Sequence, residues 1–472
     1  MERIFIKDLH GSVGQNTMIK GWVSVRRDQG KLVFFDFRDM SGTVQGVVLP
    51  GSGAIETAKE TRTEYVVAVE GMVNKRPEKN IQADKLNGDI ELQIEKIEIL
   101  NSSETPPFEI TSDTSGINED VRLQYRYLDL RSERMQRNIR LRSEFIKNVR
   151  EFLFSKKFTE IETPLLTEST PEGSRDFVVP SRLNPGKFYA LPQSPQQYKQ
   201  LLMIAGMERY FQIAKCVRDE DLRADRGFEF TQIDLEMSFV TMEDVLTILE
   251  EMMTTVVEAM GFRIKTKPFP RISYKDAMEK YGADKFDMRT EEDKASGILA
   301  YAWVINFPFF EKTDDGKWTF THNPFSMPIP EHLDSLMKGE NIGDILTTQY
   351  DLVCNGYESG GGSIRAHKPE ILKATYKVMG YSDEEIEDLI GHMLESFKYG
   401  TPPHGGIAFG IERNIMNLTG ESYLREVVAF PMTRRGQTAV MKAPKPLTDK
   451  QLAELNIRVD TKVSKENKQT DA

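Results

Sequence analysis

The chain is poor in cysteine: Cys216 and Cys354 are the only two in 472 residues. That excludes a disulfide-stapled scaffold and a cysteine-built metal site. No apolar run approaches the ~20 residues that a membrane helix needs. The richest stretch, Trp303 to Phe310, is broken by Asn306 and Pro308. The opening MERIFIKDLHG meets acidic residues at once and has no apolar signal-peptide core. Neither G-x-G-x-x-G after a strand-like run nor G-x-x-x-x-G-K-[ST] occurs, so the common nucleotide-binding loops are missing. A basic surplus is missing too. The 62 Lys+Arg face 73 Asp+Glu for a net charge of −11, which argues against a protein that coats nucleic acid nonspecifically. A reduced, cytoplasmic, multi-domain protein is expected, with no membrane segment.

What is present divides the chain. Residues 1–103 read as short strands, Met18–Arg26, Lys31–Phe37, Thr43–Leu49, Tyr65–Asn74 and Asp89–Leu100, with alternation clear in Ile19-Gly21-Val23-Val25. A short helix over Gly53–Arg62 follows the third strand. This is the layout of an OB barrel, a fold that often binds oligonucleotides on its second and third strands. Another small β-barrel with no RNA role fits the same pattern. The charges of residues 1–100 nearly balance, and Arg26, Arg27, Lys31 and Arg38 cluster there. Residues 104–135 open with a Ser-, Thr- and Pro-rich run and are expected as a hinge. Residues 136–459 mix strands and helices without βαβ regularity, beginning with an amphipathic helix from about Arg137 to Lys156. An α+β domain with an antiparallel sheet flanked by helices is expected. The polar tail, 460–472, is expected to be disordered.

Four clusters in this larger domain carry chemistry. The first is the strand-like Lys156–Leu166, which Pro164 ends. In the second, Arg218 and Glu220 precede a polar loop and Phe230. Residues two apart on a strand share a face, so an Arg could clamp phosphate while a nearby Phe stacks on a base. Taken alone, this reads as a salt-bridged hairpin. The third holds Asp351 and Glu358, hard oxygen ligands suited to Mg²⁺ shared with nucleotide phosphates. The Gly360–Gly362 run follows them, read as a turn, and then Arg365. The fourth is Gly405–Arg413, a glycine-punctuated strand leading into a helix. Arg413 near its start is a candidate phosphate contact; a packed strand–helix junction with a solvated arginine also fits.

Together, in this order and behind an OB module, the clusters resemble the three signature motifs of class II aminoacyl-tRNA synthetases. Thr170–Asp176, Ala190–Lys199, Arg218–Arg226, Asn355–Ser363 and Pro402–Gly406 look like the bacterial-type aspartyl-tRNA synthetase family. The resemblance runs from Trp22 to about Val459. It implies a homodimer, formed through Ile161–Leu166 and the helix before it, that joins L-aspartate to tRNA-Asp through an aspartyl-adenylate, with ATP as substrate and Mg²⁺ as cofactor. A relaxed enzyme charging tRNA-Asn as well is the alternative.

The resemblance also implies roles. Glu172, Ser194, Gln196 and Asp234 would surround the substrate's ammonium. Lys199 and Arg365 would bind its side-chain carboxylate, and His322 would close over it from a mobile loop. Arg218, Asp219, Glu220, Phe230, Glu358, Gly410, Ile411, Glu412 and Arg413 would serve ATP, with Arg218, Glu220 and Arg413 catalytic and Arg218 also lining the aspartate site. Asp351 and Glu358 would hold Mg²⁺. Arg27, Phe34 and Gln45 would contact the anticodon. The intact set of site residues argues against a dead paralogue, and the anticodon module argues against an asparagine synthetase on the same fold. Three departures stand out. The large inserted domain usual between motifs 2 and 3 is missing, with a short polar connector near Asp287–Ala300 instead. Gly227 stands where Gln is common in the motif 2 loop. Gln29 occupies a position in the anticodon-proximal loop that bears on the choice of tRNA.

Overall fold

Alternation of inward and outward residues, clearest in the first two strands, gives the first five strands one apolar face around which they close. The computed structural model describes residues 1–169 and 174–460. In it, β1 (Asn16–Gln29), β2 (Leu32–Asp39), β3 (Gly42–Val48), β4 (Val66–Lys75) and β5 (Ile90–Asn101) form a closed barrel ordered β1-β2-β3-β5-β4. Helix α1 (Ile55–Glu60) lies between β3 and β4. Ile19, Val23, Phe35, Phe37, Val69 and Leu92 fill the interior. The two-residue period leaves Phe34, Asp36 and Arg38 on the outer face of β2. This is the expected OB barrel.

Two compact units result, Met1–Asn118 with Tyr127–Glu133, and Glu119–Arg126 with Arg134–Ala472. Residues 104–135, expected as a hinge, carry helices α2 (Glu119–Gln124) and α3 (Arg126–Asp129) and the first turn of α4 (Glu133–Ser155). Helices of one or two turns are too short to show an apolar period, so composition alone reads as loop.

The larger unit is a sheet between helices. After α4 come β6 (Thr159–Glu160), a hairpin of β7 (Val178–Pro180) and β8 (Phe188–Ala190), α5 (Gln196–Ile204), β9 (Arg209–Val217), β10 (Glu229–Ser238) and α6 (Met242–Ala259). A Thr241–Asp244 capping box starts α6. Next are β11 (Arg271–Ser273), α7 (Tyr274–Tyr281), α8 (Glu291–Ala295), β12 (Tyr301–Ile305), the small hairpin β13 (Phe310–Lys312) and β14 (Trp318–Phe320), and α9 (Leu333–Lys338). The unit continues with β15 (Tyr350–Cys354), β16 (Tyr357–Ile364), α10 (Pro369–Val378), α11 (Asp383–Phe397), β17 (His404–Gly410) and α12 (Ile411–Thr419).

Eight strands form one sheet, ordered β11-β12-β15-β16-β17-β10-β9-β6. Its interior pairs are antiparallel, as expected, but the edge pairs β11·β12 and β6·β9 are parallel. The sheet is therefore mixed. Each edge strand is joined to its neighbour through intervening helix, as parallel pairing requires. Phe145 and Val149 of α4, Leu249 and Met253 of α6, and Trp303, Leu352 and Phe409 of the sheet share the main core.

The Gly360–Gly362 run is a correction: it is not a turn but the middle of β16, between β15 and β17. A Cβ on Gly362 would lie 2.8 Å from the Ile407 Cα, and one on Gly361 2.8 Å from Asp351 Oδ1. Glycine here permits close strand approach and makes room for a carboxylate. The expected connector near 287–300 contains α8, capped by Thr290 and Asp293. The tail beyond Asp460 lies outside the described residues.

Candidate active site

The period of a strand builds the centre of the site. Asp234 and Glu236, two apart on β10, point to one face and are fully buried. Helix α5 brings Lys199 to them, with Nζ 2.7 Å from Asp234 Oδ2 and 3.3 Å from Glu236 Oε2. Arg365, one residue past β16, donates Nε to Glu236 Oε1 at 2.9 Å and Nη2 to Glu236 Oε2 at 3.2 Å. Its Nη1 reaches Ser363 Oγ at 2.8 Å and its Nη2 the Gly406 carbonyl at 3.2 Å.

Two cations and two carboxylates thus meet with almost no solvent exposure. Burial drives the Asp234 carboxyl upward against the pull of Lys199. Burial opposes ionisation of Glu236 as well, but Arg365 and Lys199 outweigh it and hold that carboxyl below its ordinary range. Asp234 Oδ1 finds no hydrogen-bond partner among the described residues.

The sequence reading gave the Arg365 fork to a substrate carboxylate. In the structure Glu236 takes it bidentately. Four of the five guanidinium N–H groups are engaged, leaving one on Nη1. Lys199 has one N–H beyond its two carboxylate partners. Gln196, at the start of α5, donates Nε2 to Gln200 Oε1 at 3.1 Å, and its backbone N–H reaches Ser194 Oγ at 3.3 Å. Glu172 lies outside the described residues.

The β9–β10 hairpin gathers the second group. The Arg218 guanidinium stands 5.0 Å from the Phe230 ring centroid, and its Nε donates to the Gln193 carbonyl at 3.3 Å. In this structure the arginine itself stacks on the ring expected to meet a base. Glu220 accepts from Ser174 Oγ and lies 3.5 Å from Arg226. Asp219 pairs with Arg175 at 3.3 Å. Gly227 is not a steric necessity: a Cβ there would meet nothing nearer than 3.4 Å.

Arg413, in the first turn of α12, links this hairpin to the third group. Its Nη2 is 3.2 Å from Asp225 Oδ2, and its Nη1 donates to the Glu358 carbonyl at 3.2 Å. Gly410 caps α12, and Ile411 is buried in the core. The Glu412 carboxylate is committed to Arg142 at 2.8 Å and the Thr231 N–H at 3.0 Å. Held in this way, Ile411 and Glu412 fix the strand–helix junction that presents Arg413.

Asp351 and Glu358 lie on neighbouring strands β15 and β16. Lys285, which the sequence reading missed, sits 3.0 Å from Glu358 Oε2. Burial opposes ionisation of Glu358, but Lys285 and Arg413 prevail and hold its pKa near about 2. Asp351 is pushed upward, first by burial and also by Glu358.

His322 was expected over the substrate. It lies with Nε2 3.6 Å from Asp351 Oδ2 and its ring edge-on to Phe307. Burial lowers its basicity, yet Asp351 reverses the sign and the net shift is upward. Gln349 donates to Asp351 Oδ1 at 2.7 Å while its own Oε1 is buried without a partner among the described residues. The carboxylate oxygens of Asp351 and Glu358 are the hard ligands a divalent cation takes, and Lys285 and Arg413 neutralise Glu358 where no such ion is bound. Among the described residues no cluster of three or more His, Cys, Asp or Glu could hold a metal by itself, so such an ion would complete its shell with substrate oxygens.

On the barrel, the register pairs Arg27 with Phe34 and Asp36 with Gln45. Arg27 forks onto Asp36 at 2.8 and 2.9 Å, and its Nη2 meets Gln45 Oε1 at 3.3 Å. The three expected contact residues therefore share one outer face. Gln29 is exposed at the end of β1.

A closed barrel followed by an antiparallel-cored sheet that carries an Arg–Phe hairpin is the arrangement of a class II tRNA synthetase. The family model described as tRNA synthetases class II (D, K and N) matches residues 118–434, and that of the OB-fold nucleic acid binding domain matches 18–100. The aspartate–tRNA ligase of Geobacillus kaustophilus (strain HTA426) is 38% identical over 95% of this chain and 97% of its own. The aspartate–tRNA(Asp/Asn) ligase of Syntrophomonas wolfei subsp. wolfei is 38% identical over 96% and 98%. A structure of a putative aspartyl-tRNA synthetase from Leishmania major Friedlin shares the fold, with a TM-score of 0.75 at 23% identity over 91% of this chain and 94% of that one. The chain belongs to the aspartate–tRNA ligase family of class II tRNA synthetases. Its alignment with the Geobacillus relative runs over 574 positions, more than this chain's 472 residues, so that relative carries sequence missing here.

Proposed function

We propose that this protein joins L-aspartate to tRNA-Asp in the cytoplasm, in two steps with ATP as the first co-substrate. The observation that carries the reading is the buried Lys199–Asp234–Glu236–Arg365 cluster, in which each cation keeps one N–H for an incoming carboxylate. That carboxylate is the aspartate side chain. Gln196, Ser194 and Asp234, with Glu172, receive the ammonium.

An oxygen of the α-carboxylate attacks the α-phosphorus of ATP. The bond from that phosphorus to the bridging β-oxygen breaks, and pyrophosphate leaves. The attacking group is already ionised, so no general base is needed. Arg218 leaves its place over Phe230 to meet the α-phosphate, freeing the ring for adenine. Arg413 meets the γ-phosphate, and Glu220 the adenine. Mg²⁺, held by Asp351 and Glu358 with phosphate oxygens, would neutralise charge on the triphosphate. Preorganised positive charge supplies most of the barrier lowering. A hydroxyl of the terminal adenosine of tRNA then attacks the aspartyl carbonyl, and AMP leaves. Arg27, Phe34 and Gln45 read the anticodon by phosphate contact, stacking and base-edge hydrogen bonding.

The protein acts as a homodimer. Phe154, Leu165, Leu166 and Phe430 are each more than half exposed. A cavity of about 690 Å³ runs along α4 between Ile139, Ile146, Phe154, Val428 and Phe430. This apolar strip, flanked by Arg142, Lys147, Arg150 and Glu151, is covered in the assembly; a fully active monomer at micromolar concentration in sedimentation experiments contradicts this.

The relative from Syntrophomonas, named for both Asp and Asn tRNAs, favours a second reading in which tRNA-Asn is charged with aspartate as well. Charging assays on tRNA-Asp and tRNA-Asn transcripts test both. Failure to charge tRNA-Asp overturns the proposal, and charging of both establishes the second reading.

A further inference from the structure

We propose that Gln200 and His404 are positioning residues: they form a one-way chain of hydrogen bonds that orients the Gln196 side-chain amide and leaves its Oε1 as the acceptor for the amino acid's α-ammonium. The inference rests on the reading above, in which Gln196 meets that group.

The direction of the chain is set at its far end. His404 Nδ1 lies 2.8 Å from the Pro402 carbonyl oxygen. A carbonyl only accepts, so Nδ1 carries the proton. Burial holds the imidazole down at about 4; it is neutral in the working range, and its Nε2 is a bare acceptor. Gln200 Nε2 stands 3.1 Å from that atom and must donate to it. The other end of the same amide, Gln200 Oε1, then accepts from Gln196 Nε2 at 3.1 Å. Gln200 and His404 are both fully buried, so a mismatched link could not be repaired by water.

Flipping the Gln196 amide would set two carbonyl oxygens against each other. Flipping Gln200 as well would aim its oxygen at the bare His404 Nε2. Only one polarity satisfies every member. It ends with Gln196 Oε1, to which no donor among the described residues is assigned. A substrate ammonium brings the donor that end lacks. Gln196 and Gln200 lie one helical turn apart on α5, so a single rigid element carries both.

The test compares dissociation constants for L-aspartate and for succinate, which keeps both carboxylates but has no ammonium. Gln200→Met and His404→Phe each interrupt the chain. Each is expected to weaken aspartate by ~10-fold and leave succinate unchanged, because one well-aimed hydrogen bond to a charged group is lost. Gln200→Glu, whose buried carboxyl in its protonated form accepts from Gln196 and donates to His404 Nε2, is expected to retain most of the preference for aspartate. Equal weakening of both ligands, or no change in either, overturns the proposal. Gln196→Ala separates the two claims. If it narrows the preference while the chain variants do not, the relay is wrong and the ammonium assignment stands. If it does not, the assignment itself is wrong. Nitrogen-15 NMR of the wild-type enzyme needs no variant: His404 protonated at Nδ1 supports the chain, and protonation at Nε2 overturns it.

Discussion

Arg365 is oriented before any ligand arrives, because Glu236 takes both prongs of its fork and Ser363 a third donor. An aspartate side chain would therefore receive one N–H from Arg365 and one from Lys199. Asparagine would turn an amide N–H₂ toward those cations and leave a buried donor unpaired. Arg365→Leu removes one of the two N–H donors offered to the aspartate side chain and strands Glu236 with Lys199 alone, so folding needs checking by circular dichroism; Arg365→Lys keeps the charge but loses the planar fork. We expect aspartate kcat/KM in ATP–pyrophosphate exchange to fall on the order of 10⁴-fold in the leucine variant. The lysine variant should also be impaired while remaining folded. Near-normal activity in a folded leucine variant would make Arg365 merely structural. Lys199, Asp234 and Arg365 were legible because motif order carried them. Glu236 was missed although strand period places it on the face of Asp234. Lys285 gave no signal, since only the tertiary fold brings it to Glu358.

Long elements were readable from their periodicity, and the errors fell where residue type and local geometry disagree. Helix α4 shows its apolar period and lies close to where the sequence put it. Strand β16 does not, because a glycine run has weak β-propensity and resembles a loop. Its glycines answer to neighbours that the sequence does not display. Gly362→Ala would force a Cβ onto the backbone of β17, and we expect a loss of ~1–3 kcal/mol from overpacking. Gly227→Ala meets only ordinary contacts and should change stability by less than ~0.5 kcal/mol. Thermal or denaturant melts of the pair decide this; equal effects would refute the steric account of β16.

In the proposed function the two units of the chain have separable duties. The barrel's outer face gathers Arg27, Phe34 and Gln45, while the adenylate chemistry proposed above uses residues of the larger unit alone. Phe34→Ala should lose a stacked base, worth ~1–3 kcal/mol. Aminoacylation should fall while ATP–pyrophosphate exchange stays normal; equal loss of both contradicts the division. The barrel was legible as a fold because five alternating strands around a short helix have few other solutions, but the Arg27–Asp36 pairing that orders its outer face was not. The central claim is that the buried cluster of Lys199, Asp234, Glu236 and Arg365 selects a carboxylate side chain. ATP–pyrophosphate exchange by the full chain, with aspartate, asparagine and lysine offered separately, tests it most directly. Exchange with aspartate, and kcat/KM for asparagine lower by a factor on the order of 10⁴, is the predicted result. Comparable exchange with asparagine or lysine would contradict it.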